Sequence, residues 1–177
     1  VPSLLALSGK TGRMLWYHRA RTRPADGADT TGFRLRSAWP GGVLGRPLVL
    51  AGDGAPIAIA CFVSMGESFV ADDGRTIDTG AQEWLEAISG RDGALLWRYP
   101  MEKRWLEDWY SLTSGGRGRD YHRSCVLAAA SVEGRPVVIV VAGRALLVLD
   151  RETGEDVRPP FDVGFRPVWP VHIADFD

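Results

Sequence analysis

The amino-acid sequence predicts an all-β chain: a β-propeller fragment of four-stranded antiparallel blades, two complete and two partial. Three observations carry that expectation. A strand–turn–strand motif occurs three times, and repetition sets an architecture before any single element does. A second motif, Gly-x-Pro followed by an apolar run, occurs at Gly54-Ala55-Pro56 and again at Gly134-Arg135-Pro136. Apolar residues nowhere sustain a 3.6-residue period, and glycine or proline interrupts every long stretch, so helices are not expected.

The first copy of the motif is Ala6-Leu7-Ser8-Gly9-Lys10-Thr11-Gly12-Arg13-Met14-Leu15-Trp16. The second runs from Ala87 through Ser89, Asp92 and Gly93 to Trp97. The third runs from Val148 through Asp150, Thr153 and Gly154 to Arg158. Gly12, Gly93 and Gly154 take the turn position, where a tight hairpin needs a positive φ. Thr or Asp just before them can hydrogen-bond the turn backbone.

In chain order, residues 3–7 and 13–18 read as strands flanking the first turn. Residues 20–45 read as a long polar loop. Residues 47–51 form a strand, and 57–63, an unbroken apolar run, a strand buried on both faces. Residues 64–82 read as a second long loop, with Asp72, Asp73 and Asp78 as a solvated acidic stretch. Residues 84–88 and 94–99 flank the second turn. Residues 101–122 form a third long connection, whose start, Met101 to Tyr110, suits a short helix. Strands follow at 124–131, 137–141 and 145–150, and Pro159-Pro160 is expected to break the chain. Residues 168–174 open a further strand.

Each unit therefore reads strand A, Gly-x-Pro turn, strand B, loop, strand C, Thr/Asp-Gly turn, strand D. Four short strands per unit with tight turns are the pattern of a propeller blade. The expected organisation is a partial blade at 1–19 (strands C and D), blades at 46–100 and 123–162, and the first strand of another at 166–177. The 64–82 insertion makes the first complete unit longer than the second.

Composition bounds the partners. The 177 residues suffice for one domain with a core. A net charge of -1 argues against nucleic acid, which selects basic surfaces. No run is long and apolar enough to span a membrane. The seven tryptophans need a core or interface to bury them. Val1-Pro2-Ser3 offers neither an initiator Met nor a signal peptide, and Asp175-Phe176-Asp177 stops in mid-pattern. The chain reads as a piece of a longer protein, with the remaining blades as its first partners. Cys61 and Cys125 sit in apolar stretches and read as buried thiols, with a disulfide open to them in an oxidising compartment. His18 and His172 lie beside strands and read as core or surface residues rather than ligands.

The motif Ala-x-Asp-x-x-Thr-Gly-x-x-x-Trp resembles the tryptophan-docking repeat of quinoprotein-type (PQQ-like) β-propellers. Ala6, Thr11, Gly12 and Trp16 match it, with Ser8 for Asp. Ala87, Gly93 and Trp97 match, with Ser89 for Asp and Asp92 for Thr. Asp150, Thr153 and Gly154 match, with Val148 for Ala and Arg158 for Trp. The resemblance covers most of the chain and implies that Trp16 and Trp97 pack between neighbouring blades. It also implies an extracytoplasmic setting. Gly52-Asp53-Gly54 and Asp175-Phe176-Asp177 resemble, more weakly, the Asp-Gly turns of FG-GAP-type repeats, which bind Ca²⁺. One carboxylate per loop, Asp53 or Glu133, is too few for calcium, so no cofactor is expected within the fragment.

Blade geometry places the A–B and C–D turns on one face and the three long loops on the other. Function tends to sit on elaborated loops carried by a rigid scaffold. The densest chemistry lies in the third loop, so Trp105, Asp108, Trp109, Tyr110, Asp120, Tyr121, His122 and Arg123 are the candidate binding residues. Aromatics among Arg and carboxylates suit recognition. Asp120 and His122 could form part of an acid–base pair, but no nucleophile with a matching base stands out and no catalytic residue is assigned. The expected function is non-catalytic binding of a protein or small-molecule ligand, or a scaffold. The alternative is a quinoprotein dehydrogenase that uses PQQ and Ca²⁺ to oxidise an alcohol or sugar. That family's adjacent cysteine pair is not found in this sequence.

Overall fold

The computed structural model describes residues 2–20, 32–38, 41–51, 55–64, 67–78, 82–101, 125–142 and 144–164. Among them there is no helix. The strands are β1 (Ser3–Leu7), β2 (Met14–Arg19), β3 (Phe33–Ala38), β4 (Gly41–Leu50), β5 (Ile57–Ser64), β6 (Glu67–Ala71), β7 (Thr76–Asp78), β8 (Gln82–Ser89), β9 (Leu95–Pro100), β10 (Cys125–Val132), β11 (Arg135–Ala142), β12 (Ala145–Asp150) and β13 (Asp156–Asp162). They form four sheets in which every pairing is antiparallel. The first sheet is β1-β2, the second β4-β5-β8-β9, the third β10-β11-β12-β13, and a side sheet is β3-β6-β7.

The inner strands of the second sheet, β5 and β8, are buried on both faces, which explains why they carry no polar–apolar alternation. Ile59, Cys61, Leu85 and Ala87 point to the third sheet and meet Val138, Val140, Leu147 and Leu149. Ala60, Phe62, Trp84 and Ile88 point the other way, into a smaller cluster with Leu4 and Trp16 of the first sheet and Ala20 just beyond β2. Successive strand residues point to opposite faces, so this division follows from the period of two.

The turn that follows β1, β8 and β12 has one geometry. The amides of Gly12, Gly93 and Gly154 donate to the carbonyls of Ser8, Ser89 and Asp150 at 2.8, 2.9 and 2.9 Å. The return bonds, from Ser8, Ser89 and Asp150 amides to the Arg13, Ala94 and Glu155 carbonyls, are all 2.8 Å. The three glycines have φ of 69°, 76° and 72°. The substituted side chains keep the hydrogen-bonding roles. Ser8 Oγ accepts from the Thr11 amide where Asp150 Oδ1 accepts from Thr153. Asp92 accepts from the Ala94 amide where Thr153 accepts from Glu155. The β4–β5 and β8–β9 turns are tied together, since the Gly90 amide donates to Pro56 O at 2.6 Å. Arg151 and Pro136 repeat that bond in the third sheet at 3.3 Å.

Three segments differ from the sequence expectation. Residues 20–45 and 64–82 are not simply loops, because β3 lies in the first and β6 and β7 lie in the second. These strands pair into the side sheet, with Phe33 opposite Ala71 and Ser68 opposite Asp78. They are short and carry charges, so no apolar run announces them. Next, β4 starts at Gly41 and not near residue 46. Pairing of Gly41 and Gly42 with Ser64 and Val63 outweighs the low strand preference of glycine. Last, Pro159 and Pro160 do not break the chain. They lie within β13, an edge strand, where the register slips between Val148–Arg158 and Leu146–Phe161. An edge strand with an irregularity is where a sheet tolerates proline. Residues 166–177 and nearly all of 101–122 lie outside the described residues.

Candidate functional site

The binding residues expected from sequence, Trp105, Asp108, Trp109, Tyr110, Asp120, Tyr121, His122 and Arg123, all lie outside the described residues, as does His172. The described chemistry is concentrated instead between sheets, and it is built on the turn motif.

Trp16 leaves β2 and crosses to the second sheet, where its indole N–H donates to Gly90 O at 2.9 Å. A Cβ on Gly93 would lie 3.1 Å from that indole. Trp97 leaves β9 and makes the same contact one sheet further on, donating to Arg151 O at 2.9 Å. A Cβ on Gly154 would come within 2.6 Å of its ring. The glycines are therefore required twice over, by a positive φ and by the ring lying on them. Gly12 has the same backbone but meets nothing. At the other end Arg158 stands in the tryptophan position and pairs with Glu133 at 3.5 Å, largely in solvent.

Two residues beyond each tryptophan a second contact follows. Tyr99 donates to the Asp156 carboxylate at 3.2 Å. His18 bonds Gly93 O through Nδ1 at 3.1 Å and Glu86 Oε2 through Nε2 at 2.7 Å. Arg98 lies 3.6 Å from the other Glu86 oxygen and 4.3 Å above the Trp84 ring. Phe62 stacks on Trp84 from its own strand. Glu86 is thus a buried carboxylate held between the His18 ring and the Arg98 guanidinium, and such partners make a buried charge tolerable. In the aligned repeats its position is Leu5 and Leu147, so the signal in the sequence was an acid at an apolar repeat position. His18, read as a core or surface residue, is one arm of this cluster.

Beside the cluster an apolar groove of about 510 Å³ opens between β1 and the β4–β5 hairpin, lined by Leu5, Leu7, Trp16, Val49, Ala58 and Gly90. The β1 edge away from β2 has no strand partner among the described residues. Leu5 and Leu7 are 54% and 55% exposed there.

Other titratable groups serve the turns. Burial pushes the Asp150 carboxyl up, but hydrogen bonds from Thr153, Arg135 and Glu152 outweigh it and lower its pKa. Asp92 is lowered by the Ser89 hydroxyl and the Ala94 amide. Asp73 is lowered by the Arg75 amide and guanidinium. Among the described residues no cluster of three or more His, Cys, Asp or Glu side chains could hold a metal ion. Nor is there among them a helix long and apolar enough to cross a membrane. The described residues bring together no set of carboxylate oxygens of the kind that Ca²⁺ needs. The chain matches no protein family, no curated protein and no solved structure.

Proposed function

We propose that this chain is a segment of a β-propeller and serves a larger, extracytoplasmic protein as a non-catalytic binding or scaffold element. One observation carries the reading. Trp16 and Trp97 make the same contact, each on the glycine turn of the next unit. A contact that repeats with a constant offset builds a ring or a helix of units. The inner strands support a ring, since Gly45 of β4 lies directly against the Cys125 backbone of β10. The units thus draw together along one side, as blades do around an axis.

The ligand-bearing end is the one with the long connections. The turns tied through Pro56 and Pro136 lie at the opposite end of their sheets. The side sheet grows from the connections, where Gly41, Ser64 and Gln82 stand in register. It gives that end an ordered platform, and a protein or small-molecule ligand is the partner class. The groove beside β1 is the place for the first two strands of that same partial blade, because β5 and β11 fill the equivalent place beside β8 and β12 in the other two units.

The motif also favours the quinoprotein dehydrogenase reading, and one assay separates the two. The protein is mixed with PQQ and Ca²⁺, and cofactor absorbance and dye reduction with alcohols and sugars are followed. The scaffold reading expects neither signal. A cofactor spectrum with substrate-dependent dye reduction would replace it with the dehydrogenase.

A further inference from the structure

Cys61 lies on β5 and Cys125 opens β10, in two different sheets. Two independent sets of contacts bring them together. Cys61 pairs across β4–β5 with Leu44, and the next residue, Gly45, touches the backbone of Cys125. The two side chains also belong to one buried cluster, at 0% and 4% exposure, and both thiols are free. The Cys61 thiol donates to Glu83 Oε1 at 3.7 Å.

We propose that Cys61 and Cys125 are a disulfide-forming pair that locks the second sheet to the third, and that the lock is set while the chain folds. The reagent class is a small disulfide such as oxidised glutathione, or a protein disulfide oxidant. One cysteine thiolate attacks the reagent's S–S bond, forms a mixed disulfide and releases one glutathione thiolate. The second cysteine thiolate then attacks the protein sulfur of that mixed disulfide and expels the second glutathione thiolate. Two protein thiols lose two protons and two electrons, and one oxidised glutathione becomes two reduced ones.

The order of events follows from the surroundings. The Cys125 sulfur, burial and the nearby Glu83 carboxylate all push the Cys61 thiol up, so its thiolate is disfavoured once the sheets have closed. The thiolate is the attacking species. A chain that closes reduced therefore stays reduced until it opens, and one that closes oxidised shields its disulfide from reductants. The link would hold the two sheets at the point where the chain leaves residues 102–124.

The test refolds the denatured, reduced chain in reduced glutathione alone and in a mixture of reduced and oxidised glutathione. The mixture should yield monomer that has lost two hydrogens by intact mass, with one peptide pair linked through Cys61 and Cys125. Its thermal midpoint should exceed that of the reduced form by roughly 5–15 °C. Chain folded reduced and then given oxidised glutathione should react on the order of 100-fold more slowly than unfolded chain. Cys125→Ser should abolish the linked peptide and the midpoint shift. Free thiols, separate glutathione adducts or links between chains after refolding in the mixture would overturn the proposal. The peptide map of the natural sequence decides the matter even if the variant fails to fold.

Discussion

The two inter-sheet seams share one contact and differ in everything behind it. Between the second and third sheets, Trp97 sits on Gly154, and a broad apolar layer from strands of both sheets fills the space beneath. Between the first and second, Trp16 sits on Gly93, but the filling is a small cluster and a buried charge, Glu86 between His18 and Arg98. The difference teaches what each part contributes. The tryptophan needs only a turn to rest on, so two-stranded and four-stranded units dock alike. The apolar layer needs inner strands on both sides. Where one side offers only β1 and β2, Leu5 and Leu7 stay exposed.

The largest expected effect is at the tryptophans. Trp97→Ala should cost ~3–5 kcal/mol in a urea titration, because it removes a buried indole and its hydrogen bond. Trp16→Ala should cost less, ~2–3 kcal/mol, because its seam is only partly closed. Equal losses would mean that the seams do not differ as described. Next is the charge cluster. Glu86→Ala leaves Arg98 and His18 without their shared carboxylate and should cost ~2–3 kcal/mol. A variant as stable as the parent would show that the cluster carries no weight in the seam.

The glycines then sharpen the comparison at closer range. Gly154→Ala meets both the unfavourable φ and the Trp97 ring, so ~2–4 kcal/mol is expected, against ~1 kcal/mol for Gly12→Ala, where only the backbone is strained. Parity between the two would indicate that the ring yields freely. The smallest effect belongs to the third turn. The folded Asp150 pKa lies below its unfolded value, so its ionisation stabilises the fold above about pH 4 and that help fades as pH falls further. Asp150→Asn should lower the thermal midpoint by roughly 2–4 °C near neutrality. The gap to the parent should narrow below about pH 4. A gap that widened in acid would reverse the sign assigned to Asp150.

The all-β class was legible because its signals are local. Apolar runs such as Ile57 to Val63, and turn glycines at a fixed place in a repeat, need no knowledge of the rest of the chain. What escaped depends on partners far along the sequence. Phe33 to Ala38 is a strand because Glu67 to Ala71 lies beside it, and no window of residues contains both. Gly41 and Gly42 extend β4 for the same reason. Pro159 and Pro160 read as a break because proline forfeits a ladder bond, yet an irregular edge strand can spare that bond. The carbonyls that receive Trp16 and Trp97 lie 74 and 54 residues away, beyond what motif spacing can specify. Glu86 was overlooked for a different reason. Its neighbours Leu85 and Ala87 made the strand look uniformly apolar, and only alignment with Leu5 and Leu147 exposes the exchange.

The central claim is that each unit's tryptophan rests on the turn of the next unit. The most direct measurement follows the indole N–H resonances by NMR, with hydrogen exchange, in the parent chain, Gly93→Ala and Gly154→Ala. Trp16 and Trp97 should be protected in the parent. Gly93→Ala should shift and deprotect Trp16 alone, and Gly154→Ala should do so to Trp97 alone. Unprotected indoles in the parent, or glycine changes that act on the wrong tryptophan or on neither, would contradict the account.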